Sequence, residues 1–209
     1  YDDEVAFFAN QKLYQYSRVS TDADRRPWCL TVSFTHPHDP YVARRKYWDL
    51  YEGIAELDPP VEDLGYANQD PHSRRLIDAC DSHKFDITRE TVRRARQGYF
   101  ANISYIDDKV GDLLETLRTT RMLDNTIVLF TSDHGDMLGE RGLWFKMSFF
   151  EGSARVPLMV AGPGVTPRLV NEPVSTLDIN PTLADLAGID IGEILPWTDG
   201  ESLVPLMNG

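Results

Sequence analysis

The most constraining feature of the sequence is the unbroken apolar run TIVLFT at residues 126–131. Its apolar side chains do not alternate with polar ones, which is typical of a strand that is covered on both faces. Such strands occur in parallel sheets that have helices on both sides. Two further short apolar segments, residues 28–34 and 156–161, have the same character. The sequence therefore predicts a layered α/β fold with a mainly parallel central sheet that is flanked by helices.

Helices are predicted between and around these strands. The strongest signal covers residues 88–118, where apolar side chains recur every three or four residues and Thr88 is a candidate N-cap. Asp70 followed by Pro71 predicts the start of a short helix, because proline is favoured at the first helical position. Gly188 is a candidate C-cap of the last helix. Further helices are expected over residues 3–17, 41–52 and 176–187.

Composition and charge limit the kinds of partner. The chain has 209 residues, of which 42% are apolar, and these values are ordinary for a folded domain with one substantial core. Its formal net charge is −12, which argues against binding to nucleic acids or anionic membranes, because both need clustered positive charge. No apolar run approaches the length of a membrane-spanning helix. We therefore expect a partner that is neither a nucleic acid nor a membrane.

The ends of the chain and its cysteines suggest a context. The sequence begins at Tyr1 without a methionine, so we expect an internal part of a longer protein. Cys29 and Cys80 lack the spacing of a metal site, and two thiols do not make a disulfide framework. Cys29 is expected inside a buried strand. Because the thiols favour a reducing compartment and no leader is seen, we expect a cytoplasmic location.

The polar segment SDHGD follows the apolar run 126–131 directly. Its Asp133 and His134 combine a carboxylate with an imidazole, which is a common part of a metal shell. The composition supports equally well a polar turn, in which Asp133 caps the next element and His134 bonds to the backbone. Two ligands do not complete a metal site, so further ligands would have to come from elsewhere.

A second polar segment, HPHDP, follows residues 28–34 in the same way. If the two strands are parallel, both polar segments lie at the edge of the sheet where α/β proteins bind ligands. His36 and His38 are candidate hydrogen-bond donors, acids or metal ligands, and the alternative is a polar loop with one satisfied histidine. Lys146, close to Trp144, is a candidate anion ligand, and the alternative is a surface lysine packed over an aromatic ring.

Together these segments resemble the sulfatases of the alkaline-phosphatase-like superfamily. The sulfatase pattern has a strand, S-D-H-G or S-D-N-G, a glycine-rich loop, a lysine and E-x-x-x-R-V-P-L, and it is similar to TSDHGDMLGERGLWFKMSFFEGSARVPLMVAGPG. Three further segments resemble sulfatase segments in the family's order: VSFTHPHDPY, STLDINPTLADLAGID and TDGESLVPL. The resemblance covers nearly the whole chain. It implies an alkaline-phosphatase-like layered fold, with residues 1–209 as one partial catalytic domain.

Within the family, two stretches resemble the choline sulfatases: SFTHPHDPYVARRKYWDLY and GERGLWFKMSFFEGSARVPLM. The resemblance implies a parent enzyme, expected to be a homo-oligomer, that converts choline-O-sulfate and water to choline and sulfate. The histidine of S-D-H-G also resembles that of phosphonate monoester hydrolases. A phosphonate monoester or phosphodiester hydrolase is therefore one alternative, and a non-catalytic binding protein that has lost its nucleophile is another.

The resemblance also implies roles for single residues. Asp133 and His134 would ligate a divalent metal, calcium in most sulfatases, with manganese or another softer ion as the alternative because of the histidine. Lys146 would bind a sulfate oxygen, and His38 would donate a hydrogen bond to the bridging oxygen, so both are catalytic and substrate-binding candidates. Trp144, close to Lys146, is a candidate for holding a quaternary ammonium group.

The sequence departs from the family at the nucleophile. Sulfatases use a formylglycine made from the Cys or Ser of a C/S-x-P-x-R motif, and residues 1–209 contain no such motif. The family's first pair of metal-binding aspartates is also missing, because Asp2 and Asp3 open a predicted helix instead of following a strand. We therefore expect this chain to carry part of the metal and sulfate site. The formylglycine segment and the C-terminal region would belong to the remainder of the parent enzyme.

Overall fold

The structure of the protein, a computed structural model, describes residues 1–18, 26–54, 57–190, 192 and 197–208. Helices and two short strands follow one another along the chain. In chain order they are α1 (Asp2–Ser17), α2 (Arg45–Trp48), α3 (Pro71–Ala79), α4 (Arg89–Thr119), β1 (Val128–Thr131), α5 (Glu151–Ala154), β2 (Leu158–Ala161), α6 (Ile179–Leu186) and α7 (Val204–Met207). Short 3-10 helices lie at Asp49–Tyr51, Tyr66–Asn68, Ser82–Lys84, Leu123–Asn125, Glu140–Gly142 and Thr176–Asp178.

The helices with local start signals lie where the sequence predicts them. The side chain of Thr88 accepts a hydrogen bond from the backbone N–H of Thr91 and caps α4. The carboxylate of Asp70 accepts the backbone N–H groups of His72 and Ser73 and caps α3 in the same way. These bonds satisfy N–H groups that have no partner inside the helix. Both N-caps are confirmed.

The remaining helices follow the predictions less closely. The helix expected over residues 41–52 starts only at Arg45 and tightens into a 3-10 turn after Trp48. The last predicted helix begins as a 3-10 turn and becomes α6 at Ile179. Gly188 follows α6 with a φ of 71°, the left-handed conformation that ends many helices. The amide of Gly188 donates to the carbonyl of Asp185, so its predicted role as a cap is confirmed.

The pairing of the two strands differs from the prediction. β1 and β2 are antiparallel, with Val128 opposite Ala161 and Thr131 opposite Leu158. A parallel pair requires the intervening chain to cross to the other end of the sheet, whereas residues 132–157 return to the edge at which β1 ends. The expectation of parallel strands is therefore wrong for this pair. β1 is half-buried throughout and β2 alternates between half-buried and exposed residues, so neither strand is covered on both faces.

The apolar segment 28–34 is extended but is not part of a sheet among the described residues. A strand needs a neighbour for its backbone N–H and C=O groups, and no pattern within the segment itself can supply one. Its side chains alternate between half-buried and exposed positions, and Trp28 stacks on Tyr16 of α1 with ring centroids 5.1 Å apart. Cys29 is exposed. The predictions of a strand here, and of a buried Cys29, are wrong.

Among the described residues, buried apolar side chains form two clusters. The first joins α2 to α4 and comprises Tyr47, Ala101, Tyr105 and Ile106. The second lies beneath the chain that follows β1 and comprises Ile77, Met137 and Leu143, with Phe150 packed at its edge. Met137 and Leu143 are each only 1% exposed. The segment that carries SDHGD is thus anchored through buried apolar side chains.

Across the described ranges, no helix is both long enough and apolar enough to cross a membrane.

Candidate functional site

The loop of residues 132–157 starts and ends at the same edge of the β1–β2 pair. Near its base, the backbone N–H of Gly135 donates to the carbonyl of Ser153 at 2.8 Å. A methyl group at position 135 would overlap the carbonyl oxygen of Gly152, so only glycine allows this close approach. The bond closes the loop around the SDHGD segment and fixes the direction in which Asp133 and His134 leave the strand.

Lys146 is presented between two residues in the left-handed conformation. Phe145 and Met147 have φ angles of 65° and 73°, which cost roughly 1 kcal/mol or more each for residues other than glycine. Contacts with other segments hold both of them. The amide of Phe145 donates to the carboxylate of Asp136 at 3.1 Å, and the carbonyl of Met147 lies 2.9 Å from Nε2 of His72. The position of Lys146 is therefore determined by its neighbours on both sides.

The HPHDP segment is tied to the start of α1. The carboxylate of Asp2 is almost fully buried and accepts the backbone N–H groups of Thr35 and His36, at 2.9 and 3.0 Å. Its Oδ2 also lies 2.5 Å from Nδ1 of His36. Burial works to raise the pKa of Asp2, but these hydrogen bonds outweigh it and the pKa is lowered. His36 thus has a structural role, whereas His38 points towards the loop of Lys146.

The structure brings His38 and Lys146 into direct contact across 108 residues of chain, with His38 Nε2 2.6 Å from Lys146 Nζ. A lysine ammonium has only donors, so Nε2 accepts and Nδ1 of His38 carries the ring proton. This tautomer fits the surroundings, because Nδ1 lies 3.1 Å from the carbonyl oxygen and 3.0 Å from the carboxylate of Asp39. The ammonium of Lys146 and the ring nitrogen of His38 that accepts from it therefore meet at one point.

His134 lies beside this pair, with its ring centroid 6.0 Å from that of His38. Its Nδ1 is 2.8 Å from the carbonyl oxygen of Gly135 and donates to it, which leaves the lone pair of Nε2 available. Nε2 lies 3.6 Å from Oδ2 of Asp133. Burial works to raise the pKa of Asp133, but the neighbouring imidazole of His134 and the backbone N–H of His134 outweigh burial, and the pKa is lowered. A lone pair and a carboxylate thus face the same space.

The fit of a divalent metal can be judged from these two residues. The side chain of Asp133 is 85% exposed and that of His134 is 33% exposed, so a cation could reach both. Within the described residues no group of three or more His, Cys, Asp or Glu side chains could hold a metal ion. The pair therefore fits part of a shell of oxygen and nitrogen ligands, and the remaining ligands would have to come from outside these residues.

Trp144 stands at the boundary between the site and a neighbouring cavity. Its ring is tilted against that of Tyr41, with centroids 6.4 Å apart. It also lines a cavity of about 580 Å³, whose other walls include the rings of Tyr66 and Phe85 and the carboxylate of Glu62. Aromatic faces combined with carboxylates are the surroundings that organic cations prefer.

Two residues of the site were given no role in the sequence analysis. Asp136 accepts hydrogen bonds from the backbone N–H groups of Leu138 and Phe145, and from the hydroxyl of Tyr41 at 2.8 Å. Burial, followed by the charge of Asp136, strongly raises the pKa of Tyr41, so this hydroxyl keeps its proton. Asp136 and Tyr41 directly follow SDHG and HPHDP, so their place in the motifs was the signal that could have identified them.

Comparison with known proteins adds to this geometry. The family model described as Sulfatase matches residues 1–189, which is most of the chain. The chain belongs to the sulfatase family. This sulfatase is 68% identical over 209 residues to a choline-sulfatase of Rhizobium meliloti (strain 1021), covering all of this chain and 41% of that protein. It is 36% identical over 189 residues to an arylsulfatase of Clostridium perfringens, covering 88% of this chain and 38% of that protein.

Solved structures confirm the fold. The phosphonate monoester hydrolase SpPMH of Silicibacter pomeroyi superimposes with a TM-score of 0.82 at 27% identity, over 98% of this chain and 41% of that one. The phosphonate monoester hydrolase of Agrobacterium radiobacter gives a TM-score of 0.76 at 27% identity, over 100% of this chain and 43% of that one. The sulfatase therefore has the alkaline-phosphatase-like fold that its sequence indicates. The chain spans about two fifths of the length of each of these four proteins.

Proposed function

We propose that the protein to which this chain belongs hydrolyses sulfate esters, and that its substrate is choline-O-sulfate, which reacts with water to give choline and sulfate. The identity of 68% to a choline-sulfatase over the whole chain supports this substrate. We also propose that residues 1–209 form part of a larger catalytic domain, since they span 41% of that relative.

The observation that carries the proposal is the contact between His38 and Lys146 beside His134. The ammonium of Lys146 would bind a non-bridging oxygen of the sulfate and stabilise the charge that moves as the S–O bond breaks. With Lys146 engaged on the sulfate, Nε2 of His38 would be free to carry a proton and donate it to the bridging oxygen. The carboxylate of Asp39 next to Nδ1 would stabilise that protonated ring. The bridging oxygen then leaves as a hydroxyl group and not as an alkoxide.

Asp133 and His134 would contribute two ligands to a divalent cation, and the carbonyl of Gly135 holds the imidazole in the tautomer that a ligand needs. A cation at this position would add positive charge next to the sulfate oxygens. Calcium is the proposed ion because the family uses it, and manganese is the alternative because one ligand is a nitrogen. The formylglycine nucleophile of the family would be supplied by a segment outside residues 1–209.

The choline group requires a different kind of surface. Trp144 is two residues from Lys146 in the chain and forms one wall of the cavity that also contains Tyr66, Phe85 and Glu62. A quaternary ammonium group has no hydrogen-bond donor, so its recognition depends on aromatic faces and negative charge. We propose that Trp144 contacts the choline end of the substrate while Lys146 holds the sulfate end.

One alternative activity has specific support. The two phosphonate monoester hydrolases superimpose on nearly all of this chain, and a lysine, a histidine and a metal pair would serve a phosphonate ester as well as a sulfate ester. The two activities differ in the charge and geometry of the substrate, so they are separated by a direct measurement of turnover.

The test uses the full-length protein. We expect it to release choline from choline-O-sulfate with a higher kcat/KM than it releases phenol from phenyl phenylphosphonate. Lys146→Met keeps the length of the side chain and removes its charge, and it should lower kcat/KM by about a hundredfold or more. Lys12→Met is the matched control, because Lys12 is an exposed lysine of α1 that lies over the ring of Tyr16, with Nζ 5.1 Å from the ring centroid.

The outcomes separate the hypotheses. Preference for the phosphonate ester would replace the sulfatase assignment with the alternative. Absence of turnover on both substrates, together with binding of choline-O-sulfate, would favour a non-catalytic binding protein. Equal effects of the two lysine substitutions would contradict the role of Lys146.

Cellular location and assembly are further parts of the proposal. Cys29 and Cys80 are both free thiols, which fits a reducing compartment such as the cytoplasm. We propose a homo-oligomer, and the mass of the full-length protein in solution tests it.

A further inference from the structure

The contact between His38 and Lys146 is too weak to define its own geometry. It joins two partly exposed side chains, and lysine has four rotatable bonds that must be held for the contact to persist. The two residues belong to separate loops that are 108 positions apart in the chain. Something else must therefore fix the distance between the two loops.

Asp136 has hydrogen bonds to both loops at once. Its Oδ2 accepts the hydroxyl of Tyr41, which lies three residues after His38. Its Oδ1 accepts the backbone N–H of Phe145, the residue directly before Lys146. Hydrogen bonds to a carboxylate are shorter and stronger than neutral ones. A single side chain thus links the neighbours of the two groups that meet at the site.

The same carboxylate holds the loop of Lys146 in its unusual conformation. The two amides that donate to Oδ1 belong to Leu138 and Phe145, at 2.9 and 3.1 Å, and both residues have left-handed φ angles of 48° and 65°. Residues other than glycine adopt this conformation only where the surroundings impose it. Asp136 therefore determines the turn from which the side chain of Lys146 extends.

Tyr41 in turn is fixed against the long helix. Its backbone carbonyl lies directly over Gly98 of α4, where a methyl group would overlap it. Its ring lies between the rings of Tyr99 and Trp144, with centroids 6.1 and 6.4 Å away. Packing against α4 and these two rings thus directs the hydroxyl of Tyr41 at Asp136, as expected for a residue that holds another side chain in place.

We propose that Asp136 and Tyr41 are positioning residues, and that their hydrogen bond sets the spacing of His38 and Lys146 for cleavage of the ester. The pair does not itself touch the reacting atoms. This inference rests on the proposed function, because it assigns the two aligned groups to ester cleavage.

The experiment compares variants of the full-length protein. Tyr41→Phe removes one hydroxyl and keeps the ring, and we expect kcat to fall about 10- to 100-fold with a change in KM of less than about threefold, because misplacement by about 1 Å affects mainly the transition state. Tyr47→Phe is the matched control. The hydroxyl of Tyr47 donates to Asp108 at 2.7 Å. Tyr47→Phe therefore removes a tyrosine–aspartate hydrogen bond of the same kind away from the site. Its kcat should stay within twofold of the wild type.

A second variant keeps the inference falsifiable if Tyr41→Phe folds poorly. Asp136→Ala removes the acceptor of the Tyr41 hydroxyl and should lower kcat at least as much as Tyr41→Phe. The double variant should lose no more than about twofold beyond the larger single effect, because Asp136→Ala already breaks the bond that Tyr41→Phe removes. A kcat of Tyr41→Phe within twofold of the wild type would overturn the inference. So would equal losses in Tyr41→Phe and Tyr47→Phe, or independent, multiplying losses in the double variant.

A structural measurement separates this inference from the proposed function. In a crystal structure of Tyr41→Phe, the distance from His38 Nε2 to Lys146 Nζ should exceed 3.5 Å, whatever the substrate of the enzyme. The kinetic comparison uses whichever of choline-O-sulfate and phenyl phenylphosphonate the wild type hydrolyses. A wrong substrate would thus contradict the proposed function alone, whereas an unchanged distance would contradict the positioning role alone.

Discussion

Gly98 lies where α4 passes beneath the backbone of Tyr41, and it shows how a single residue fixes the distance between two segments. A methyl group at position 98 would overlap the carbonyl oxygen of Tyr41, which is backbone and cannot rotate away. Gly111 lies in the same helix, and a methyl group there would meet no other atom within 4 Å. Both glycines are helical, but position 98 has no room for a methyl group and position 111 does.

We therefore predict opposite effects of alanine at these positions. Gly98→Ala should destabilise the protein by about 1–3 kcal/mol, because the loop must move away from the helix. Gly111→Ala should stabilise it by about 0.5–1 kcal/mol, because alanine has the higher helix propensity. The midpoint of urea unfolding measures both variants. Similar midpoints for the two variants would show that the loop of Tyr41 does not rest on α4.

Asp133 is the more exposed residue of the pair that we propose as metal ligands. The side chain of Asp133 is exposed, so its removal should weaken binding of the proposed metal ion and leave the fold intact.

We predict that Asp133→Ala in the full-length protein lowers metal-dependent activity by more than about a hundredfold and lowers the bound metal content. Asp107→Ala, which removes an exposed carboxylate from α4, is the control and should change neither. Activity titrated with calcium and with manganese, together with metal analysis, checks both variants. Wild-type turnover in Asp133→Ala would remove this residue from the metal site.

At the scale of the elements, the helices were predictable because their signals are local. The caps of α3 and α4, and the apolar stripe of α4, lie within the residues that they organise. The strands depend on partners that the local sequence does not identify. Residues 28–34 have strand composition and no strand partner among the described residues, and the direction of β2 relative to β1 is set by the path of residues 132–157.

The cap of α3 has a pH dependence that can be predicted in sign. The hydroxyl of Ser73, together with backbone N–H groups, lowers the pKa of Asp70 to about 2. The usual value is about 3.9, so the charged cap stabilises the folded state fully above about pH 4 and loses this contribution as the pH falls through about 2. The difference in Tm between wild type and Asp70→Ala should therefore be larger at pH 6 than at pH 2.5.

Thr88→Ala provides the control for this measurement. This substitution removes the N-cap of α4. Because the hydroxyl of Thr88 does not titrate, the effect of Thr88→Ala on Tm should be the same at both pH values. If the two substitutions show the same dependence on pH, the charge of Asp70 does not stabilise α3.

At the scale of the whole molecule, the site is assembled from segments that precede and follow α4 in the chain. The prediction that HPHDP and SDHGD lie close together agrees with the ring centroids of His38 and His134, which are 6.0 Å apart. The expected reason, that two parallel strands end at the same edge of a sheet, was wrong, because residues 28–34 form no strand among the described residues. The prediction that HPHDP and SDHGD lie close together was therefore supported only by the resemblance to sulfatases. The bond between Asp136 and Tyr41 leaves no periodic pattern in the sequence, because the two residues are 95 positions apart, and only their places directly after SDHG and HPHDP mark them.

The activity of the isolated chain, residues 1–209, is also a property of the whole molecule. Residues 1–209 contain no C/S-x-P-x-R motif, so we predict that the isolated chain does not hydrolyse choline-O-sulfate even when calcium is added. Release of choline by the isolated chain is compared with that by its Lys146→Ala variant, which gives the background. Turnover above this background would show that the nucleophile lies within these residues.

The antiparallel pairing of β1 and β2 has a further consequence for how the site can change. Both ends of the loop of residues 132–157 are held in register by the strands, so the loop is mechanically a closed ring. The bond between Gly135 and Ser153 divides it into a short part at the sheet and a long part that carries Lys146. Extra residues in the long part cannot pass into the strands, so the register of β1 and β2 and the Asp133–His134 pair next to β1 stay as they are. The ammonium group and the Asp133–His134 pair can therefore be adjusted separately, by insertion in one part and substitution in the other.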